Sequence, residues 1–188
     1  MKRAKPLLYT IGHSTRSYDE LVEALGAWDV TTLVDIRTIT RSRTNPQFNR
    51  TTLARRLPRA GIRYVVIPDL GGRRSRSKTA DPARNAGWRV AAFHNYADYA
   101  ETPEFARGLA ELLALASSST CAIMCAEAVW WRCHRRIVAD YAMTRGARVF
   151  HIFTPAKAER AKRTPFAKVD RKTKTLRYPA LTPDRKSR

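Results

Sequence analysis

Short apolar runs recur along the chain at intervals long enough to hold a helix between them. Pro6 to Ile11, Thr31 to Ile36, Ile62 to Ile67, Cys121 to Cys125 and Arg148 to Phe153 each have the length and β-branched content of a strand buried on both faces. The segments between them carry the longer period. Tyr18, Leu21, Val22 and Leu25 share one face of a helix expected over Tyr18 to Trp28, with Asp19, Glu20 and Glu23 turned away and Thr15 or Ser17 as its cap. A basic helix should run from Thr51 or Thr52 to Ala60 and stop at Gly61. Others are expected over Gly87 to Tyr99, from Thr102-Pro103 to about Ala116, and over Cys133 to Thr144, where Gly146 ends the last. Strands alternating with helices describe a single Rossmann-like α/β domain over residues 6–153, with a mostly parallel central sheet of about five strands flanked by helices.

The pattern fails in two places. From Arg73 to Arg84 there is almost no large apolar residue, which predicts a long exposed loop after the tight turn Pro68-Asp69-Leu70-Gly71-Gly72. Residues 154–188 form a basic C-terminal extension with 12 Lys and Arg against three acidic residues, and within it Phe166 to Tyr178 alternates like a small hairpin turning near Lys172 to Lys174. A net charge of +20 on 188 residues predicts attraction to nucleic acid or another polyanion. The apolar run behind Met1-Lys2-Arg3-Ala4-Lys5 is too short for a signal-peptide core or a membrane span, and three cysteines make no disulfide framework. The expectation is a cytoplasmic protein with free thiols and no membrane partner.

In a parallel sheet, ligands bind beyond the C-terminal ends of the strands. Those ends carry His13 and Ser14, Asp35 and Arg37, Asp69 with Gly71 and Gly72, Cys125 and Glu127, and then His151 or Thr154. Cys125 faces a helix N-terminus and could be a nucleophile, with His134 or His13 carrying the proton and Glu127 acting as base or orienting a histidine; the alternative is a small buried hydrophobe. Cys125, Glu127, Cys133, His134 and His13 are the candidate catalytic residues. They also form a possible zinc set, but seven residues separate Cys125 from Cys133 and no finger or ribbon spacing is present, so the spacing assigns no metal and leaves the cofactor unknown. Ser14, Arg37, Arg41, Arg43, Gly71, Gly72, Arg73, Arg74 and Arg135 are the candidate anion or nucleic-acid contacts, with Arg76 and Lys78 on the same loop as Arg73. Trp130 and Trp131 either stack a base or anchor the helix to the sheet.

Gly12-His13-Ser14, Asp35-Ile36-Arg37, Gly61-Ile62-Arg63-Tyr64, Leu70-Gly71-Gly72, the Phe93 to Phe105 region, Cys125-Ala126-Glu127, Cys133-His134-Arg135 and Val149-Phe150-His151-Ile152 together resemble the family catalogued as domain of unknown function 488. The resemblance covers most of Leu8 to Phe153 and implies a compact α/β domain of bacterial or archaeal type. It implies no reaction. Members often have a proline soon after the arginine matched by Arg37, whereas this loop continues Thr38-Ile39-Thr40 and first meets proline at Pro46. Two functions follow from the residues: an enzyme, hydrolase or group transferase, acting on a phosphate-bearing substrate, or a nucleic-acid-binding module in which the thiols are structural. A metal-stabilised fold without catalysis is a third.

Overall fold

A computed structural model describes residues 5–180. Strands β1 (Leu7–Gly12), β2 (Thr32–Asp35), β3 (Arg63–Val66), β4 (Cys121–Cys125), β5 (Arg148–Thr154) and β6 (Lys157–Arg160) form one sheet in the order β3-β2-β4-β1-β5-β6. All neighbours are parallel except β5 and β6. The helices are α1 (Tyr18–Gly26), α2 (Arg50–Arg56), α3 (Ala91–Tyr99), α4 (Pro103–Ser118) and α5 (Arg135–Thr144). Among the described residues no helix is long and apolar enough to cross a membrane.

Strand alternation divides the core in two. Tyr9, Ile11, Leu33, Ala122 and Met124 pack with Leu21, Leu25 and Leu53 of α1 and α2 on one face. Leu8, Val34, Cys121 and Ile123 pack with Tyr96, Phe105, Leu109, Ile137 and Tyr141 of α3, α4 and α5 on the other. The strands are buried on both sides, which is why they read as continuous apolar runs. The connections leaving β1 and β2 thus lie on the face opposite to the helix that follows β4. Neighbouring strands that send their chains to opposite faces open a crevice at their C-terminal ends.

Local chemistry sets the helix starts. Ser17 accepts from the Glu20 backbone N–H while the Ser17 N–H donates to the Glu20 carboxylate, a reciprocal capping box worth about 1 kcal/mol. Thr102 caps α4 with Pro103 at its first position, and Gly61 takes a left-handed φ of 74° to close the short 3-10 turn Leu57–Ala60 that follows α2.

Four expectations change. Gly87 to Val90 is not helical: the Gly87 N–H donates to the Tyr178 carbonyl, and Trp88 is buried against Phe93, Phe166 and Tyr178, so tertiary packing holds this stretch out of the helix. Helix α4 continues through Ser117 and Ser118, whose hydroxyls bond back to carbonyls one turn earlier. Gly71 and Gly72 have no positive φ, and their turn is the 3-10 segment Pro68–Leu70; glycine is required there by contact instead, as shown below. Finally, β6 lies in the extension and adds a sixth, antiparallel edge strand. The hairpin forms as β7 (Lys168–Val169) and β8 (Leu176–Arg177), docked through the buried Leu176 and Tyr178.

Candidate functional site

Two polar clusters stand at the C-terminal ends of the strands. The first is built on Asp35 at the end of β2. Its carboxylate accepts from Arg37 Nε at 2.9 and 3.1 Å, from Arg37 Nη2 at 2.5 Å and from the Tyr64 hydroxyl at 2.6 Å. Arg37 Nη2 also donates to the Phe48 carbonyl at 2.7 Å, and Nη1 lies 3.1 Å from His13 Nε2. Because Nη1 can only donate, Nε2 is the acceptor; Nδ1, 3.0 Å from the Ser14 carbonyl, carries the hydrogen. His13 is therefore neutral. Burial, with Arg37 and Arg135 nearby, lowers its pKa to about 4 against the contrary pull of the Ser14 carbonyl and Asp35. Burial disfavours the Arg37 charge, but Asp35 outweighs it and holds the guanidinium protonated.

The second cluster joins the end of β4 to the start of α5. Cys125 ends β4, the 3-10 turn Trp130–Arg132 brings the chain back, and Cys133 and His134 precede the first turn of α5. His134 Nδ1 lies 3.7 Å from Cys125 Sγ and 3.6 Å from Cys133 Sγ, and all three atoms fall within 4.8 Å of one another. The ring orientation is fixed from behind. Its Nε2 is 2.9 Å from the Ile36 carbonyl, which can only accept, so Nε2 carries a hydrogen and Nδ1 faces the two sulfurs. Tyr96 meets the ring edge-on at 5.0 Å. A Cβ on Gly72 would stand 2.3 Å from Nδ1, so only glycine lets this loop pass the imidazole. Gly12 plays the same part at the end of β1, where a Cβ would fall 1.9 Å from the Glu127 carbonyl.

Arg135 supports the sulfurs. It is 1% exposed, its backbone N–H and Nε lie 3.4 and 3.3 Å from Cys133 Sγ, and Nη2 donates to the Glu127 carbonyl at 2.5 Å. No carboxylate pairs with it among the described residues. Burial would raise the Cys133 thiol, but the neighbouring Cys125 thiol, His134 and the Arg135 charge outweigh it and hold it well below the ordinary thiol value. Cys125, beside that sulfur and buried, is pushed well above.

Cys125, Cys133 and His134 form the floor of a cleft of about 330 Å³. Arg37 reaches its wall, Arg73, Glu127 and Arg132 stand at its mouth, and Ile39, Val90 and Phe93 supply an apolar side. Ile39 and Val90 are 52% and 58% exposed, two of the three large apolar side chains left open to solvent among the described residues. A larger hollow, about 830 Å³, lies beside Arg76, Lys78, Trp88 and His94 but holds no thiol or ligand cluster.

The candidate residues thus separate. Cys125, Cys133, His134 and Glu127 come together with Gly72, Arg73 and Arg37 around one cleft. His13 lies behind it in the Asp35–Arg37 cluster, and Ser14, in a left-handed turn at φ 47°, pairs its N–H with the Ala126 carbonyl. Arg74 folds over the Tyr99 ring at 3.6 Å with its guanidinium bonded to Gly71 and Pro68 carbonyls. Arg41 and Arg43 are exposed outside the cleft lining. Trp130 stacks on His151 at 4.3 Å and 8°, which anchors the turn before Cys133, while Trp131 is exposed. His151 Nδ1 pairs with the Thr10 hydroxyl, and burial with the Arg135 charge lowers its pKa to about 3. Sequence reasoning missed Arg132, Ile39 and Val90. Arg132 lies within the Trp130 to Cys133 turn and could have been found by asking what that turn presents to the cleft.

The family model described as Domain of unknown function DUF488 matches residues 17–142, two thirds of the chain. The chain belongs to this family. The matched span contains Arg37, Gly72 and the whole Cys125 to Arg135 cluster, whereas β1 and β5 of the DUF488 domain lie outside it. No curated protein and no solved structure matches the chain.

Proposed function

We propose that this DUF488 domain is an enzyme that hydrolyses, or transfers a group from, a phosphate-bearing substrate, nucleic acid or a nucleotide first among them. One observation carries the reading: the two thiols and Nδ1 of His134 converge on the floor of a cleft whose mouth combines an apolar wall with cations that pair with no carboxylate among the described residues. Ile39, Val90 and Phe93 suit the flat face of a base, Arg73 and Arg132 suit a phosphate, and Glu127 is placed to carry a proton. Incubation with nucleoside phosphates and with single-stranded DNA and RNA, followed by mass spectrometry of products, tests it. Turnover should fall at least about 100-fold in Cys133→Ser and Glu127→Gln, with the thermal midpoint unchanged in the exposed Glu127 variant. Unaltered turnover in both variants would sink the assignment.

The charge supports a second reading, a nucleic-acid-binding module. Removing residues 154–188 is a poor test of it, because that deletes β6 and the buried Leu176 and Tyr178. Neutralising Arg171, Lys172 and Lys174 on the exposed hairpin turn is the cleaner variant.

A further inference from the structure

We infer that Cys125, Cys133 and His134 bind one zinc ion, with a fourth coordination position open to the cleft. The inference deepens the proposed function and rests on it only for the ion's catalytic role; the binding itself rests on geometry. A tetrahedral zinc about 2.3 Å from sulfur and about 2.0–2.1 Å from nitrogen sets those ligand atoms about 3.5–3.6 Å apart. The two sulfur–nitrogen distances are 3.7 and 3.6 Å, so the imidazole already stands at ligand spacing from each sulfur, and all three donor atoms fall within 4.8 Å of one another.

The surroundings of the ligands agree. A metal-binding histidine normally donates its other ring N–H to a carbonyl or carboxylate, which fixes the tautomer and aims the lone pair. His134 does so to Ile36, and the absence of a side chain at Gly72 leaves room for the ring. Two thiolates beside a divalent ion make a neutral unit, and the Arg135 guanidinium, buried without a carboxylate among the described residues, directs its Nε and backbone N–H at one of those sulfurs. Thiolate and imidazole ligands select zinc over magnesium or calcium, and three cysteines in the chain are too few for a four-thiolate iron–sulfur cluster. Sequence spacing hid the site because the ligands lie on opposite sides of a turn, Ala126 to Arg132, whose length fits no finger or ribbon.

Three protein ligands and one free position are the arrangement of zinc that activates water. Glu127, at the cleft mouth, takes the proton of the bound water; the resulting hydroxide oxygen bonds to the substrate phosphorus, the bond from phosphorus to the leaving oxygen breaks, and Glu127 returns the proton to that oxygen. Oxygen, proton and charge balance without a further reactant.

The test uses the full chain, purified under reducing conditions. Elemental analysis should give one zinc per chain, and cobalt(II) added to the chelated protein should give a thiolate-to-metal band with the intense visible bands of tetrahedral coordination. Cys125→Ser, Cys133→Ser and His134→Ala should each weaken zinc binding more than about 100-fold. Cys121→Ser, whose thiol lies by Ser119 outside the cluster, should bind as the parent does. A wild-type chain that retains no zinc and shows no cobalt–thiolate band overturns the inference, whatever the variants do. Turnover of a phosphate substrate that survives complete metal removal overturns the ion's catalytic role and leaves the enzyme standing. Stoichiometric zinc with no turnover on any such substrate supports the site and sinks the proposed reaction.

Discussion

His13 and His134 are both buried, and each donates one ring N–H to a main-chain carbonyl. What differs is the atom that meets the other nitrogen. For His13 it is the Arg37 guanidinium, itself held by Asp35 and the Phe48 carbonyl, so the chain of donors and acceptors closes on itself. For His134 it is a pair of sulfurs at the bottom of an open cleft. The same residue type therefore acts as a brace in one cluster and as a ring nitrogen facing the cleft thiols in the other. What separates structural from chemical groups here is whether a partner remains to be found.

Breaking the closed cluster should have the largest effect on stability. Asp35→Ala leaves Arg37, 7% exposed, without its carboxylate and also strips the Tyr64 hydroxyl of its acceptor. Removing one partner of a buried ion pair costs about 3–5 kcal/mol. Urea denaturation should show a loss of that size, and a loss under about 1 kcal/mol would mean that the cluster is not closed.

Acid titration should distinguish the neutral braces next. The unfolded chain protonates its histidines near pH 6.5, whereas burial keeps His13 and His151 neutral down to about 4 and about 3 in the fold. Below pH 6.5 the unfolded state then binds more protons, so their contribution is present above 6.5 and is lost as pH falls towards 4. Allowing for partial solvent screening, each ring accounts for about 1–2 kcal/mol of that loss. The drop between pH 7.5 and 5 should be shallower in His151→Gln than in the parent; equal slopes would show that this ring is not held neutral.

These contrasts also mark what the sequence could reveal. β1 to β5 were readable because strands buried on both faces are apolar throughout, and Ser17, Thr102, Gly61 and Gly146 punctuate the helices by local chemistry alone. β6 was not, because an exposed edge strand of Lys157, Ala158, Glu159 and Arg160 buries too little to leave a pattern. Gly87 to Val90 misled because its conformation is set by Phe166 and Tyr178, some eighty to ninety residues away. At the site, residue types were legible and pairings were not. Nothing local separates Arg37 and Arg74, whose guanidinium groups are engaged, from Arg73 and Arg132, which face the cleft.

Gly72→Ala sharpens the contrast from the other side. The added methyl would overlap the His134 ring, 2.3 Å from Nδ1, so the imidazole or the loop must shift and the ring loses its present position against the sulfurs. Such overpacking costs about 1–3 kcal/mol. Its main consequence should be chemical: turnover falls while the acid sensitivity set by His13 and His151 stays as in the parent. A variant with parental turnover would show that the His134 position does not matter.

The smallest effect on the fold should come from the cleft mouth. Arg73 and Arg132 are exposed and bond to no carboxylate among the described residues, so alanine at either should change stability by no more than about 0.5 kcal/mol. If each meets a phosphate, each replacement lowers the slope of log affinity against log salt for single-stranded DNA by about 0.7, the share of one phosphate. Arg74→Ala is the matched control, since that guanidinium is occupied by the Gly71 and Pro68 carbonyls and by the Tyr99 ring. It should cost stability and leave the slope alone. Equal slopes for all three variants would mean that the polyanion lies elsewhere on this basic surface, and that the cleft takes a substrate too small to carry a chain of phosphates.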